Sequence, residues 1–101
     1  MASREELHEK LVAILGSRNV YFQPPETLKM SYPAIRYARV PMKNNFADNV
    51  VYKQSQQYEI TLIDYDPESA FLGPLSKMPT CRHDRHYQSD NLNHDVFTIY
   101  Y

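Results

Sequence analysis

Side chains that can bind a metal ion or act as nucleophiles gather near the C-terminal end of this 101-residue sequence. They are Cys81, His83, His86 and His94, with Asp84 and Asp95 beside them. Cys81, His83 and His94 have the ligand types of a zinc site, but the paired spacing of common zinc motifs is missing. On a regular strand, Cys81 and His83 share one face and His86 points to the other. Histidines at the surface or at a strand edge are the simpler interpretation.

Two other kinds of chemistry have only a partial pattern in the sequence. Cys81 and His83 provide a thiol and a base, but residues two apart on a strand do not turn toward each other, and no glycine-containing oxyanion loop accompanies them. Asp64, Asp66 and Glu68 have the spacing of part of a calcium loop without its turn glycine or its distal glutamate. Charge compensation at the start of a helix explains these carboxylates. We therefore expect no enzyme activity, no catalytic or metal-binding residues and no cofactor, with a small metal-dependent enzyme built on the cysteine and histidine set as an alternative.

The charge of the chain is nearly balanced, with eleven Lys and Arg against twelve Asp and Glu and a formal net charge of −1. Nucleic-acid binders carry a clustered basic surplus, and here the basic residues are scattered. Tyr37 with Arg36 and Arg39 beside it could stack on bases, but the positive field that single-strand binding needs is missing. We expect no specific nucleic-acid partner. Arginine and tyrosine also anchor protein interfaces, and the nine tyrosines favour that role.

The length, the single cysteine and the hydropathy pattern bound the class of protein. A chain of this length forms one domain, residues 1–101. Cys81 has no intramolecular disulfide partner, so a reducing cytoplasm suits the chain. No secretory signal and no apolar run of the roughly 20 residues needed to span a membrane is visible, so no membrane association is expected.

The N-terminal segment has the pattern of an amphipathic helix. The spacing of apolar residues predicts a helix over Ser3–Leu15. Ser3 is placed as the N-cap, Glu6 completes a capping box, and Gly16 ends the helix.

The rest of the chain alternates between strand and turn signals. Strands are predicted at Val20–Phe22, Tyr32–Val40, Val50–Asp64, Thr80–Ser89 and His94–Tyr101, with a short or broken helix within Ser69–Met78. The last strand is apolar on both faces, which favours a central position or a subunit boundary. The fold class is therefore α+β, with an N-terminal helix packed on a mostly antiparallel sheet of four to five strands and a short second helix.

Five segments together give the chain its resemblance to a known family. They are REELHEKLVAILG, NVYFQPPETLKMSYPAIRY, FADNVVYKQSQQYEITLIDYDP, GPLSKMP and DRHYQSDNLNHDVFTIYY. In these segments the sequence resembles the small neck proteins encoded in the head-to-tail module of long-tailed phages and of the prophages of Gram-positive bacteria. The resemblance spans nearly the whole chain.

The resemblance implies a structural role. The neck proteins are similar in fold to the tail terminator and tail-completion group, in which a helix packs on an antiparallel sheet and the subunits form a ring. That ring has six subunits in the tail terminators, caps the tail tube and meets the head connector. The implied partners are copies of the chain itself, the tail tube protein and head connector proteins. The implied location is the head-tail junction of a virion, after synthesis in the bacterial host cytoplasm.

An alternative within the same setting is a head-completion adaptor or a minor capsid protein at the connector. The family has no active site to carry over. As contact residues of a ring we predict Tyr37, Arg39, Tyr52 and Tyr100, because strand alternation places each of them opposite or beside the face assigned to the core.

Overall fold

The computed structural model of the chain describes residues 4–25, 28–40 and 56–101. These described residues form two helices and five strands, in the order α1 (Arg4–Leu15), β1 (Val20–Phe22), β2 (Ala34–Arg39), β3 (Gln57–Asp64), α2 (Leu72–Ser76), β4 (Cys81–Ser89) and β5 (Leu92–Tyr100). The strands form one sheet in the order β1-β2-β3-β5-β4, and only β1 and β2 run parallel. The predicted α+β class, with a helix, a mostly antiparallel sheet and a short second helix, is confirmed.

Helix α1 has one buried stripe. Leu7, Leu11 and Leu15 are spaced four residues apart and are at most 5% exposed, which is the spacing that places side chains on one helix face. Gly16 follows with a φ of +75°, and its N–H donates to the Val12 carbonyl at 2.8 Å. Glycine adopts this left-handed conformation without steric cost, so it ends the helix as predicted. The predicted N-cap, Ser3, lies outside the described residues.

Strand alternation divides the sheet residues between two faces. The face under α1, here called the helix face, carries the larger core side chains: Ile35, Tyr37, Tyr58, Ile60, Leu62, Phe97 and Ile99. The opposite face holds further buried residues: Ala34, Thr61, Ile63, Val96 and Thr98. Strand β5 lies between β3 and β4 and is buried along almost its whole length, as its apolar pattern predicts.

Helix α2 is a single turn within the predicted Ser69–Met78 segment. Gly73 and Pro74 occupy its second and third positions, where a backbone N–H has no acceptor inside the helix, so the missing N–H of proline removes nothing. Leu75 and Met78 both join the core. The expected interruption thus becomes the start of a short helix.

The hairpin of β4 and β5 combines a tight turn with a bulge. Asp90 and Asn91 have φ of +53° and +63°, the conformation of a two-residue turn that matches the twist of a hairpin. The pairing then shifts by one residue between His83 and Arg85, which leaves Asp84 without a partner in β5. This bulge decides which side chains of β4 share a face.

Candidate functional site

The residues considered for a zinc site are divided between the two faces of the sheet. Register pairs Cys81 with Ile99 and His83 with Phe97, so both lie on the helix face. His94 lies on the opposite face, where its ring stacks on Tyr87 with centroids 4.6 Å apart and planes 10° apart. The alternative that groups Cys81, His83 and His94 as ligands is therefore wrong in this fold, because alternation along β5 turns His94 away from the other two.

The bulge changes the position expected for His86. A regular strand would place His86 opposite to His83, but the extra residue Asp84 returns it to the helix face, where it pairs with Asp95. The assignment of His86 to the other face is corrected on this ground. The charged residues of β4 are typical of edge strands in general, so they do not mark the bulge in the sequence.

Polar side chains on this part of the helix face satisfy one another. His83 Nε2 lies 3.1 Å from Asp95 Oδ1, and the Asp95 carboxyl is almost fully buried. His86 Nε2 lies 3.3 Å from Asn93 Oδ1, and Asn93 Nδ2 donates to the Tyr65 carbonyl at 3.1 Å. Within residues 4–25, 28–40 and 56–101, no group of three or more His, Cys, Asp or Glu side chains is placed to hold a metal ion.

Cys81 has the environment of a packed thiol. It is half-buried against the core, and this burial raises the pKa of the Cys81 thiol above its ordinary value. The nucleophilic form of cysteine is the thiolate, so a raised pKa lowers reactivity at neutral pH. His83 is the base considered for the Cys81 thiol, and its Nε2 lies within hydrogen-bond distance of Asp95 Oδ1 instead.

The carboxylates at 64–68 hold the backbone of the loop after β3. Asp64 Oδ1 accepts from the Asp66 N–H at 3.2 Å, and Asp66 Oδ1 accepts from the Glu68 N–H at 2.9 Å. Helix α2 begins only at Leu72. The expected compensation of a helix N-terminus is therefore replaced by side-chain turns that give the loop its shape.

Tyr37, predicted as a ring contact, is a core residue with an exposed fraction of 1%. Its hydroxyl accepts from Arg4 Nη1 at 3.2 Å and lies 2.7 Å from His8 Nδ1, and desolvation raises the pKa of the phenol. Its ring contacts those of Phe22 and Tyr58 at centroid distances of 5.0 and 6.1 Å. The prediction of Tyr37 as a contact residue is corrected, since odd-numbered residues of β2 point under α1.

Two other predicted contact residues lie at the same end of the sheet. Arg39 ends β2 and is exposed, with Nη2 donating to Gln56 Oε1 at 3.3 Å. Tyr100 ends β5, pairs with Gln57 across β3 and is half-buried. Tyr52 lies outside the described residues. Because β2 and β5 flank β3, Arg39 and Tyr100 lie on either side of the first residues of β3.

We call this end of the sheet the Arg39 end. Glu5 pairs there with Arg4 at 3.3 Å, and the basic and aromatic side chains are Arg4, Lys10, Phe22, Arg39, Tyr100 and Tyr101. The Arg4 guanidinium lies 4.5 Å from the Phe22 ring centroid, and Lys10 Nζ lies 4.9 Å from that of Tyr101. The hydrogen bond to Tyr37 raises the pKa of Arg4, and the interaction with Tyr101 raises the pKa of Lys10. A depression of about 380 Å³ is lined by Arg4, Phe22, Arg39, Gln56 and Tyr58. Cations stacked on rings are typical of protein contact surfaces.

The other end of the sheet carries carboxylates, and we call it the acidic end. It consists of Asp64, Asp66, Glu68 and Asp90. Asp64 ends β3 and pairs with Asn93, near the start of β5, so the Asp90 turn lies at this same end. All four are at least partly exposed. The spacing of the first three is visible in sequence, but only the strand register adds Asp90 to them.

Comparison of the chain with known proteins found no match. No protein-family model matches the chain, and neither a curated protein nor a solved structure matches it. In the part of the chain that the structure describes, no helix is long and apolar enough to cross a membrane.

Proposed function

We propose that this chain is a structural protein of the head-tail junction of a phage or prophage, of the tail terminator or tail-completion type. In this role copies of the chain form a ring, with six subunits as in the tail terminators it resembles. The ring caps the tail tube and joins it to the head connector within the virion. The observation that carries the proposal is that Arg4, Lys10 and Arg39 gather at one end of the sheet, where Glu5 pairs with Arg4, and that four carboxylates gather at the other end.

A closed ring formed by rotation requires a heterologous contact, in which one surface of each subunit meets a different surface of the next. The Arg39 end and the acidic end are two such surfaces, and they lie at opposite ends of the same strands. Complementary charge steers subunits together and fixes which surfaces meet. Arginine and tyrosine at the Arg39 end supply the anchors that carry most of the energy of a protein contact.

The helix-on-sheet architecture and the five resembling segments support the same proposal. The architecture is the one the resemblance implies, and all five segments contribute described residues to it. Architecture alone is shared by proteins of many functions, so the charged ends give the proposal its specific content.

Charge reversal at the Arg39 end tests the ring contact. Arg39→Glu should abolish a discrete oligomer in sedimentation velocity, because it places a carboxylate against the carboxylates of the next subunit. Lys29→Glu is the matched control, since Lys29 is also exposed and its reversal changes net charge equally. An oligomer of unchanged mass in the Arg39→Glu variant contradicts this contact, and a monomer in both variants shows only an effect of net charge.

Binding to purified assembly partners separates the proposed role from its alternative. Capture by tail tube protein supports a tail terminator. Capture by the portal complex without tail tube binding supports a head-completion adaptor or minor capsid protein. Binding to neither contradicts a position at the junction.

A further inference from the structure

Strand β4 forms a long, exposed edge of the sheet. Among residues 4–25, 28–40 and 56–101, only β5 pairs with its nine residues, and all nine except Cys81 are exposed. The other edge, β1, has three residues. An edge strand presents unpaired backbone N–H and C=O groups along its free side, which is the surface that strand addition uses.

The pairing with β5 determines which backbone groups of β4 face outward. In an antiparallel ladder, alternate residues bond to the neighbouring strand and the others point away from it. The Tyr100 N–H donates to the Thr80 carbonyl, so before the bulge the even-numbered residues bond to β5. After the bulge the odd-numbered residues bond to β5, from Arg85 to Ser89, which pairs with Leu92 across the turn. The outward groups therefore belong to Cys81, His83, His86 and Gln88.

These outward groups match those of a second copy of β4 in one antiparallel register. A twofold axis between Asp84 and Arg85 places His83 opposite His86 and Cys81 opposite Gln88, each twice. Both members of each pair lie on the helix face. The reason is that the bulge shifts the alternation by one residue, so that His86 and Gln88 lie on the same face as Cys81 and His83. Without the bulge this register would oppose residues from different faces. The Cys81 N–H already bonds to the Met78 carbonyl, so the register forms up to about six new backbone hydrogen bonds.

Charges along β4 favour the same register. It sets Asp84 of one copy against Arg85 of the other, twice, and Arg82 against Tyr87. Asp84 and Arg85 already pair within one copy, 3.2 Å apart, and both side chains are about half exposed. A shift by one residue in one direction would set Arg85 of one copy opposite Arg85 of the other. Like charges directly opposite each other are destabilising. Charges and bulges on edge strands prevent indiscriminate pairing, and here they favour the register about Asp84 and Arg85.

We propose that the β4 edge is a self-association surface, on which a second copy of the chain adds its own β4 antiparallel about the axis between Asp84 and Arg85. The contact is isologous, because the same strand serves both copies. It joins two five-stranded sheets into one continuous sheet. It is independent of the ring contact, which is heterologous and uses the ends of the strands.

Amide hydrogen exchange with sedimentation velocity on the full chain tests this contact. From about 1 µM to about 1 mM, we expect a species of twice the 11.9 kDa subunit mass. In that species the amides of His83, His86 and Gln88 should exchange at least about tenfold more slowly, since each gains an acceptor. Amides of Arg85 and Tyr87 already bond to β5 and should not change. A monomer at all concentrations overturns the proposal, and so does an oligomer in which these three amides exchange no more slowly. If that oligomer has six subunits, the β4 contact is wrong while the proposed ring stands.

Two sets of variants locate the contact. Gln88→Pro removes an outward N–H while keeping the bonds to β5, a position where edge strands accept proline, and should raise the dissociation constant of the dimer at least about tenfold. Gln88→Thr keeps the N–H and should dimerise as the parent does. Asp84→Arg should weaken the dimer by a similar factor, and the double variant Asp84→Arg with Arg85→Asp should restore it. Equal dimerisation of the proline and threonine variants, or no recovery in the double variant, overturns the register.

Discussion

Replacing Tyr37 by alanine should remove a large part of the stability of the fold without acting through assembly. The side chain is 1% exposed, and its ring meets those of His8, Phe22 and Tyr58. Truncation of a buried aromatic side chain costs about 3 to 5 kcal/mol through lost transfer energy and the remaining cavity. A domain of this size has about 5 to 15 kcal/mol in total, so the change removes about 30 to 50% of a mid-range value of about 10 kcal/mol.

The hydroxyl and the ring of Tyr37 can be separated by a second variant. Tyr37→Phe keeps the ring contacts and removes the hydroxyl that accepts from Arg4 Nη1 and lies 2.7 Å from His8 Nδ1. It should therefore destabilise the fold, but by less than Tyr37→Ala. Arg39→Ala, two residues further on the same strand, changes an exposed side chain and should stay within about 0.5 kcal/mol of the parent.

Urea unfolding followed by far-ultraviolet circular dichroism measures these differences, with one m-value for all variants. The measurement is made at a concentration at which the parent is monomeric, so that assembly does not contribute. A Tyr37→Ala variant within about 0.5 kcal/mol of the parent would refute the placement of Tyr37 in the core. Such a result together with loss of assembly would return Tyr37 to the contact residues.

Two further predictions concern the end of α1 and the opposite face of the sheet. Gly16→Ala should destabilise the fold by about 1 to 2 kcal/mol in urea unfolding, because φ is +75°. No atom lies within 4 Å of the added methyl group, so this cost comes from the backbone conformation alone. Gly73→Ala meets equal space without a positive φ and should be neutral or stabilising, so equal costs at both positions would contradict the backbone argument. Desolvation lowers the pKa of His94 in the folded protein below its ordinary 6.5. Neutral His94 therefore contributes to the stability of the fold above about pH 6.5, and this contribution is lost as the pH falls toward the lowered pKa. The loss of stability from pH 7 to pH 5 should be smaller in His94→Phe, which keeps a ring on Tyr87, and an unchanged loss would contradict this assignment.

Local sequence signals determined most of the secondary structure. The leucine spacing of α1 and its terminal Gly16, the alternation of Tyr58, Ile60 and Leu62, and the two-sided apolar pattern of β5 each depend on neighbouring residues. These patterns are set by whether a given face of an element is buried, so they can be read without knowing the partner element. The α+β class and the central position of β5 followed from them.

The contact residues could not be chosen from alternation alone. Alternation correctly paired Ile35 with Tyr37, but it does not say which tyrosines use their hydroxyl in the core. The Tyr37 hydroxyl reaches Arg4 and His8 on α1, 33 and 29 residues away in sequence. A long-range partner of this kind makes burial of a tyrosine favourable, and no local pattern records it.

The sequence by itself determined the helix, the strands and the mixture of charges, because hydrophobic period, glycine and proline act over a few residues. Only the tertiary structure decided that His94 is separated from Cys81 and His83, and that the Asp84 bulge returns His86 to their face. Only the strand register brought Asp90 to the same end as Asp64 and placed Arg39 at the other. The physical reason is that register and bulges are set by pairing between distant strands, where a shift of one residue reverses the face of every side chain that follows.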